Sequence, residues 1–209
     1  YEISTRDWSS DVCSSDLRIL RSTPEDKAWK TGQGLVVRSF KESDKSEQLL
    51  SAVWDGTRLM FAPVTAVMPH TFGAVQQSRL SDRLIYTREN YKESPDIFTR
   101  TIGAKVIDEQ QLSKLNPQQA QYNWGTAELY KWTAFNGKPA TGVIYKPENF
   151  DPKKKYPLIL YFYETHTDAL NQYIPPSPTG SRLNISFFVS RRSEEHTSEL
   201  QSRVDISYA

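Results

Sequence analysis

The 209-residue sequence is poor in sulfur, with one cysteine, Cys13, and two methionines. A single cysteine cannot close a disulfide within the chain, so a small disulfide-stapled scaffold is excluded. Long apolar runs are also missing and the mean hydropathy is -0.62, so no segment approaches the roughly 20 apolar residues of a membrane-spanning helix. The formal charge is only +1, which gives no electrostatic reason to expect nucleic acid as a partner.

The two ends of the chain lack helical or strand periodicity, and they encode each other. One permitted DNA coding of residues 7–17 has a reverse complement that translates to residues 192–202, and the match continues outward to both termini. An inverted repeat in DNA has no role in a folded chain, and this string resembles the adapter of a sequencing library. We therefore expect residues 1–17 and 192–209 to be non-native, and residues 18–191 to be a piece of a longer protein.

Setting these ends aside changes the composition. Lys plus Arg falls from 26 to 23 and Asp plus Glu from 25 to 17, which leaves a formal charge of about +6. Cys13 is lost as well, so neither disulfide nor thiol chemistry is expected. A cysteine-free chain fits the cytoplasm or the periplasm, and the localisation stays open. Lys153, Lys154 and Lys155 are interpreted as a solvated turn, because no aromatic residues are interleaved with them.

The first half of residues 18–191 predicts short strands separated by turn residues. Asp55-Gly56 is a strong turn signal, because glycine adopts positive φ cheaply. Pro63 suggests an edge or the end of a strand. This pattern is typical of an antiparallel sheet built from hairpins, such as a sandwich or propeller blades. The predicted strands are residues 35–40, 48–54, 59–64, 83–88 and 96–101.

Residues 108–122 are polar and rich in glutamine, and they predict an irregular connection or one helical turn at the boundary between two domains. Beyond them, Asn136-Gly137 predicts a type I′ turn between two antiparallel strands. An apolar run then predicts a strand buried on both faces. Near the end, residues 167–173 predict one helical turn, and residues 183–190 predict either a strand or a helix. The three predicted strands are residues 128–134, 140–147 and 158–163.

Two motifs in this second half resemble a known family. Residues 128–138 read ELYKWTAFNGK and residues 145–163 read YKPENFDPKKKYPLILYFY. In this order the chain resembles the prolyl oligopeptidase family of serine peptidases, on the dipeptidyl-peptidase-IV and acylaminoacyl-peptidase side. The resemblance implies a mainly β fold. Residues 18–122 would be the last β-propeller blades, and residues 123–191 the truncated first strands of an α/β-hydrolase domain.

The resemblance implies a serine peptidase that hydrolyses peptide bonds, with a peptide substrate and with neither cofactor nor metal. The serine of its Ser-Asp-His triad would lie within a Gly-x-Ser-x-Gly pentapeptide, and this sequence contains no such pentapeptide. The chain itself is therefore expected to be inactive. One alternative is a non-catalytic protein that uses a propeller and a hydrolase-like domain for binding, and another is an esterase on the same scaffold. The oligomeric state stays open.

One catalytic group is implied within the chain. By motif position, Tyr163 corresponds to the family's tyrosine that donates its hydroxyl to the oxyanion, seven residues after Tyr156. The family often continues with a glycine-containing turn, but Glu164-Thr165-His166 follows here. The other interpretation of Tyr163 is a strand-end aromatic packed between domains.

Other conspicuous side chains are interpreted as structural or solvent-exposed rather than functional. Glu164, His166 and Asp168 match no zinc spacing and are expected to lie in a solvated loop. His70 is expected to be a loop residue. The tryptophans of the two predicted domains are expected to lie in the core rather than on a ligand platform; these are Trp54, Trp124 and Trp132.

Overall fold

The computed structural model describes residues 15–20, 34–103, 108–161, 167–176 and 183–190. Ten strands and one short α-helix lie in these ranges. The strands are β1 (Ser15–Leu20), β2 (Leu35–Lys41), β3 (Glu47–Trp54), β4 (Leu59–Pro63), β5 (Thr71–Gln77), β6 (Arg83–Glu89), β7 (Asp96–Thr101), β8 (Gln110–Gln111), β9 (Thr126–Thr133) and β10 (Pro139–Lys146). Helix α1 is Ile185–Ser190, and 3₁₀ turns occupy Pro117–Gln121 and Thr167–Ala169.

The described residues form two compact units. The first runs to Pro117 and also includes Asn171–Tyr173; the second takes the remaining residues from Gln118 onward. Every strand pair in both units is antiparallel. The expectation of a mainly β fold is confirmed, and none of the sheets in the described residues closes into a barrel.

The first sheet has the order β1-β2-β3-β4, so each strand pairs with its neighbour in sequence. Strands β2 to β4 occur where alternating apolar residues and turn residues predicted them. The β3–β4 connection depends on Asp55, whose carboxylate accepts the backbone N–H groups of Thr57 and Arg58, while Gly56 adopts a φ of 103°. Strand β1 begins at Ser15, inside the terminal segment that the sequence analysis set aside.

The second sheet has the order β5-β6-β7-β8. Strands β6 and β7 match the prediction, but β5 was not predicted. A register shift between Gly73 and Gln76 interrupts its pairing with β6, and Ala74 has a positive φ of 45°. A bulge of this kind breaks the two-residue alternation by which a strand is recognised in sequence.

The two sheets of the first unit share one apolar core. Val36 and Leu49 from the first sheet pack with Phe72, Leu84 and Tyr86 from the second. A second buried cluster lies on the opposite face of the first sheet and contains Val37, Leu50 and Ala52. Neighbouring residues of β2 therefore point into different cores, since successive side chains on a strand face opposite ways.

In the second unit, β9 and β10 form a hairpin whose turn differs from the prediction. Asn136 has no positive φ, as a type I′ turn would require, whereas Gly137 has a φ of 78°. The Gly137 N–H donates to the Ala134 carbonyl at 2.9 Å, and the Ala134 N–H donates to the Lys138 carbonyl at 2.8 Å. The prediction of a type I′ turn is wrong. The loop has three residues, 135–137, one more than a two-residue type I′ hairpin loop. Phe135 and Asn136 occupy the centre of a turn, and Gly137 follows them in the left-handed conformation.

Two further expectations are wrong. The strand predicted over residues 158–163 is described only over residues 158–161. These belong to no sheet in the described residues, and their side chains are exposed rather than buried on both faces. A strand of this type is buried only when other elements cover both its faces. Trp54 and Trp132 are about half exposed instead of lying in the core, and Trp124 is partly buried. Within the described ranges, no helix is both long and apolar enough to cross a membrane.

Candidate functional site

Tyr163, the catalytic residue that the family resemblance implies, lies outside the described residues, as do Glu164 and His166. Asp168 is described, and its side chain is exposed in the 3₁₀ turn Thr167–Ala169. Among the residues that the structure describes, no three His, Cys, Asp or Glu side chains come together in a group that could hold a metal ion.

A charged cluster lies in the first unit, where β3 and β5 begin and β6 ends. The bridge between Glu47 and Met68 joins the start of β3 to the segment that leads into β5, and β5 pairs Thr71 with the last residue of β6, Glu89. Antiparallel pairing thus gathers side chains that are distant in sequence. We define the charged cluster as Arg38, Glu47, Arg88, Glu89 and Glu109.

Arg38 and Glu47 hold both backbone groups of a core residue. The Glu47 carboxylate accepts the Phe72 N–H at 2.8 Å, and the Arg38 guanidinium donates to the Phe72 carbonyl at 3.2 Å. The two side chains lie 3.8 Å apart. Burial raises the pKa of Glu47, and the charge of Glu89 raises it further, against the opposing effects of the Phe72 N–H and of Arg38. The pair therefore fixes the start of β5 against β3.

Glu109 connects the charged cluster to the aromatic core. Its carboxylate accepts hydrogen bonds from the Tyr86 hydroxyl and from the Arg88 guanidinium, which also lies 4.0 Å from the centre of the Phe98 ring. Burial, followed by the hydrogen bond to Glu109, raises the pKa of Tyr86 well above its usual range. Tyr86 consequently remains a protonated donor. These contacts anchor the polar stretch that precedes β8, where the sequence predicted an irregular connection or one helical turn.

A short segment from late in the chain also docks on the first unit. The Tyr173 N–H donates to the Glu89 carboxylate at 3.3 Å, and the Asn116 amide donates to the Tyr173 hydroxyl at 3.0 Å. The buried Asn171 amide donates to the Lys45 carbonyl at 2.6 Å. Burial raises the pKa of Glu89, against a smaller opposing effect of the Tyr173 N–H. Three hydrogen bonds thus hold Asn171–Tyr173 in the first unit.

His70 lies beside the charged cluster, immediately before β5. Its Nε2 is 3.0 Å from a Glu93 carboxylate oxygen and 3.0 Å from the Asn90 amide nitrogen. A neutral imidazole satisfies only one of them, because Nε2 either accepts from the amide or donates to the carboxylate. The pair of imidazole and carboxylate corresponds to two members of a catalytic triad, but the described contacts of His70 bring no nucleophile to the ring.

The charged cluster can hold strand ends together. Each carboxylate in it accepts at least one hydrogen bond from a backbone N–H, a hydroxyl or a guanidinium. Such satisfaction is what buried ionic groups need in order to be tolerated. The contacts described here stabilise the fold around the charged cluster. They do not assemble the groups that carry out peptide hydrolysis.

Comparison with known proteins yields little. No family model matches the sequence, and no curated protein matches it. Among solved structures, the chain is similar to a variant of the AtxE2 isopeptidase with Astexin3-dC4 bound, at 10% sequence identity and a TM-score of 0.45. The alignment covers 82% of this chain and 30% of the isopeptidase chain. A similarity at this level supports no assignment of fold or function.

Proposed function

We propose that the chain is part of a serine peptidase of the prolyl oligopeptidase type. The first unit would supply propeller blades and the second the start of an α/β-hydrolase domain. The observation that carries this proposal is the succession of two antiparallel sheets, each with its strands in chain order and both sharing one core. The second has four strands, and the first has β2 to β4 together with β1, which begins in the terminal segment set aside above. Propeller blades are four-stranded sheets that follow one another around a central channel, and successive blades pack against each other.

The first sheet offers a second argument. Its strands β2 and β3 bury apolar side chains on both faces, with Val36 and Leu49 on one face and Val37, Leu50 and Ala52 on the other. An outer sheet of a two-layer sandwich buries one face and exposes polar side chains on the other. A blade between two neighbours needs apolar side chains on both faces. The first sheet therefore favours propeller blades over a sandwich.

The proposed chemistry is acyl transfer through a serine, with a histidine as the base and a carboxylate that orients it. Those three groups would lie in the longer protein, outside these 209 residues, since the chain has no Gly-x-Ser-x-Gly pentapeptide. Tyr163 would donate its hydroxyl to the developing oxyanion and so stabilise the tetrahedral intermediate.

Sequencing the source gene across both ends of residues 18–191 tests this proposal. We expect a Gly-x-Ser-x-Gly codon run downstream, followed by Asp and His codons, and we expect the codons for residues 1–17 and 192–209 to be absent. A complete hydrolase-like domain without the serine would instead favour the non-catalytic binding protein. Finding the terminal codons in the genome would remove the basis for treating the chain as a piece of a longer enzyme.

Activity of the full-length protein separates the remaining alternatives. A peptidase should cleave chromogenic peptide amides and be labelled by a fluorophosphonate at its serine. An esterase would hydrolyse the matching esters and leave the amides intact. The serine-to-alanine variant is the control, because it should lose both labelling and turnover while it retains the fold.

A further inference from the structure

The hairpin loop of the second unit presents an asparagine followed by a glycine at the surface. Residues 135–139 are all exposed, and a Cβ built on Gly137 would meet no atom of the described residues within 4 Å. The backbone nitrogen that follows an asparagine can attack the carbon of its side-chain amide, and a side chain on that following residue obstructs the attack. Glycine has no side chain, so the junction of Asn136 and Gly137 is the least obstructed arrangement for this reaction.

We propose that Asn136 is a site of spontaneous deamidation. The Gly137 nitrogen, after it loses its proton, forms a bond to the Asn136 Cγ, and the Cγ–Nδ2 bond breaks as ammonia leaves. One water molecule then opens the resulting succinimide ring. Breaking the new bond to Cγ leaves aspartate with an ordinary backbone, and breaking the bond to the Asn136 carbonyl carbon leaves isoaspartate. The net change replaces an amide by a carboxylate and needs only water.

Two hydrogen bonds at this junction act in opposite directions. The Lys138 N–H donates to the Asn136 side-chain oxygen at 3.1 Å, which draws electron density from the carbon that is attacked. The Gly137 N–H donates to the Ala134 carbonyl at 2.9 Å, which holds the attacking nitrogen in the turn. The second bond must break before the nitrogen can react, whereas the first can persist. Local opening of the loop therefore sets the rate in the folded chain.

The second unit contains two matched internal controls. Asn123 and Asn149 are exposed, as Asn136 is, but a bulky aromatic residue follows each of them, Trp124 in one case and Phe150 in the other. Exposure alone therefore does not distinguish the three asparagines. The residue that supplies the attacking nitrogen does, and it selects Asn136.

The isoaspartyl product would add one methylene to the backbone of the loop. The Ala134 N–H closes this loop by donating to the Lys138 carbonyl at 2.8 Å, directly beside the paired residues Thr133 and Pro139. We expect the isoaspartyl form to lose exchange protection at the Ala134 amide. Asn136→Asp carries the same charge on an ordinary backbone and should keep that protection, and equal protection in the two forms would contradict this consequence.

Peptide mapping by mass spectrometry of the folded chain, incubated at mildly alkaline pH, tests the proposal. Aspartyl and isoaspartyl products should accumulate at Asn136, and faster as the pH rises, because the Gly137 nitrogen must lose its proton. Asn123 and Asn149 should keep their amides. Asn136→Gln should lose both products, since its longer side chain would have to close a larger ring. Unfolding the chain in guanidinium chloride should speed the reaction by roughly two- to tenfold, the factor that one hydrogen bond contributes to local opening.

Four results would overturn the proposal or its mechanism. The first is an Asn136 that keeps its amide in the folded chain. The second is conversion of Asn123 or Asn149 as fast as that of Asn136. The third is aspartate without isoaspartate, since direct hydrolysis of the amide does not pass through the succinimide. The fourth is a rate that unfolding leaves unchanged, which would show that the hydrogen bond from Gly137 to Ala134 does not restrain the reaction.

Discussion

Replacing Gly125 by alanine tests the local geometry of the second unit. Gly125 has a φ of 82°, and Gly137, in the hairpin turn of the same unit, has a φ of 78°. An alanine at either position pays for the left-handed backbone, about 1–2 kcal/mol. The surroundings differ. A Cβ at Gly137 would meet no atom within 4 Å, whereas a Cβ at Gly125 would overlap the Lys146 carbonyl oxygen and lie 2.5 Å from Val189 Cγ1.

The overlap at Gly125 adds a second cost. Its main partner is a backbone atom at the end of β10, so no side-chain rotation relieves the clash. Overpacking of this kind costs about 1–3 kcal/mol. A backbone shift would also disturb the hydrogen bond from the Gly125 N–H to the Glu148 carboxylate at 2.9 Å. Bonds to charged groups contribute about 1.5–3 kcal/mol. The backbone and overpacking contributions together predict a cost of about 2–5 kcal/mol for Gly125→Ala, against about 1–2 kcal/mol for Gly137→Ala.

Amide hydrogen exchange of peptides from β9 and β10 is the appropriate assay, because it reports the opening of the second unit separately from the first. A difference of about 2 kcal/mol between the variants corresponds to a roughly 30-fold difference in protection, since about 1.4 kcal/mol is a factor of ten. Equal protection in Gly125→Ala and Gly137→Ala would show that the approach to the Lys146 carbonyl does not restrict Gly125, and the reasoning would be refuted.

Three further predictions concern the core, the charged cluster and the proposed catalytic group. Leu84→Ala, at a fully buried position, should lower the free energy of unfolding by about 2–5 kcal/mol. The control Leu80→Ala, at an exposed position, should change it by less than about 0.5 kcal/mol. Similar losses in the two variants would contradict the shared core. Glu47→Gln should become more stable relative to the original chain as the pH rises above about 4.5. The reason is that burial raises the pKa of Glu47, so the original fold loses stability when this carboxyl ionises. Urea midpoints of the two proteins that diverge only at low pH would contradict this argument. In the longer peptidase proposed above, Tyr163→Phe should lower kcat by about 10²–10³ with substrate affinity little changed, and unchanged turnover would exclude the oxyanion role.

The strands of this chain were predictable where alternation and turn chemistry agree. Asp55-Gly56 ends β3, and the pattern around Asn136-Gly137 indicated a hairpin, although the turn type was wrong. Strand β5 was not predicted because its bulge at Gly73 and Ala74 breaks the two-residue alternation of side chains. Residues 158–163 were predicted as a strand because they form an uninterrupted apolar run. Whether such a run forms a strand depends on neighbours that its own sequence does not specify.

The charged cluster was not predictable for a related reason. Glu109 meets Arg88 and Tyr86 across 21 and 23 positions of sequence, and Glu47 meets Phe72 across 25. No motif spacing indicates these pairs, since the register of several antiparallel strands determines them. The exposure of Trp132 follows from the same dependence on context. Its large aromatic ring suggested a core residue. In the two-stranded hairpin the ring lies against Gly142 and stacks on the Tyr130 ring, with the ring centres 5.9 Å apart.

The proposed function places residues 158–161 in surroundings that differ from those described here, and this makes the proposal testable. In a longer peptidase these residues would form a strand inside a sheet, so Ile159→Lys would place a charge in the core and cost several kcal/mol of folding stability. In the chain of 209 residues Ile159 is 40% exposed, and the same substitution should leave the fold intact. Thermal unfolding of Ile159→Lys in both proteins distinguishes the cases. If the substitution were tolerated in the longer protein, these residues would remain on the surface there as well, and the family assignment of the second unit would be wrong.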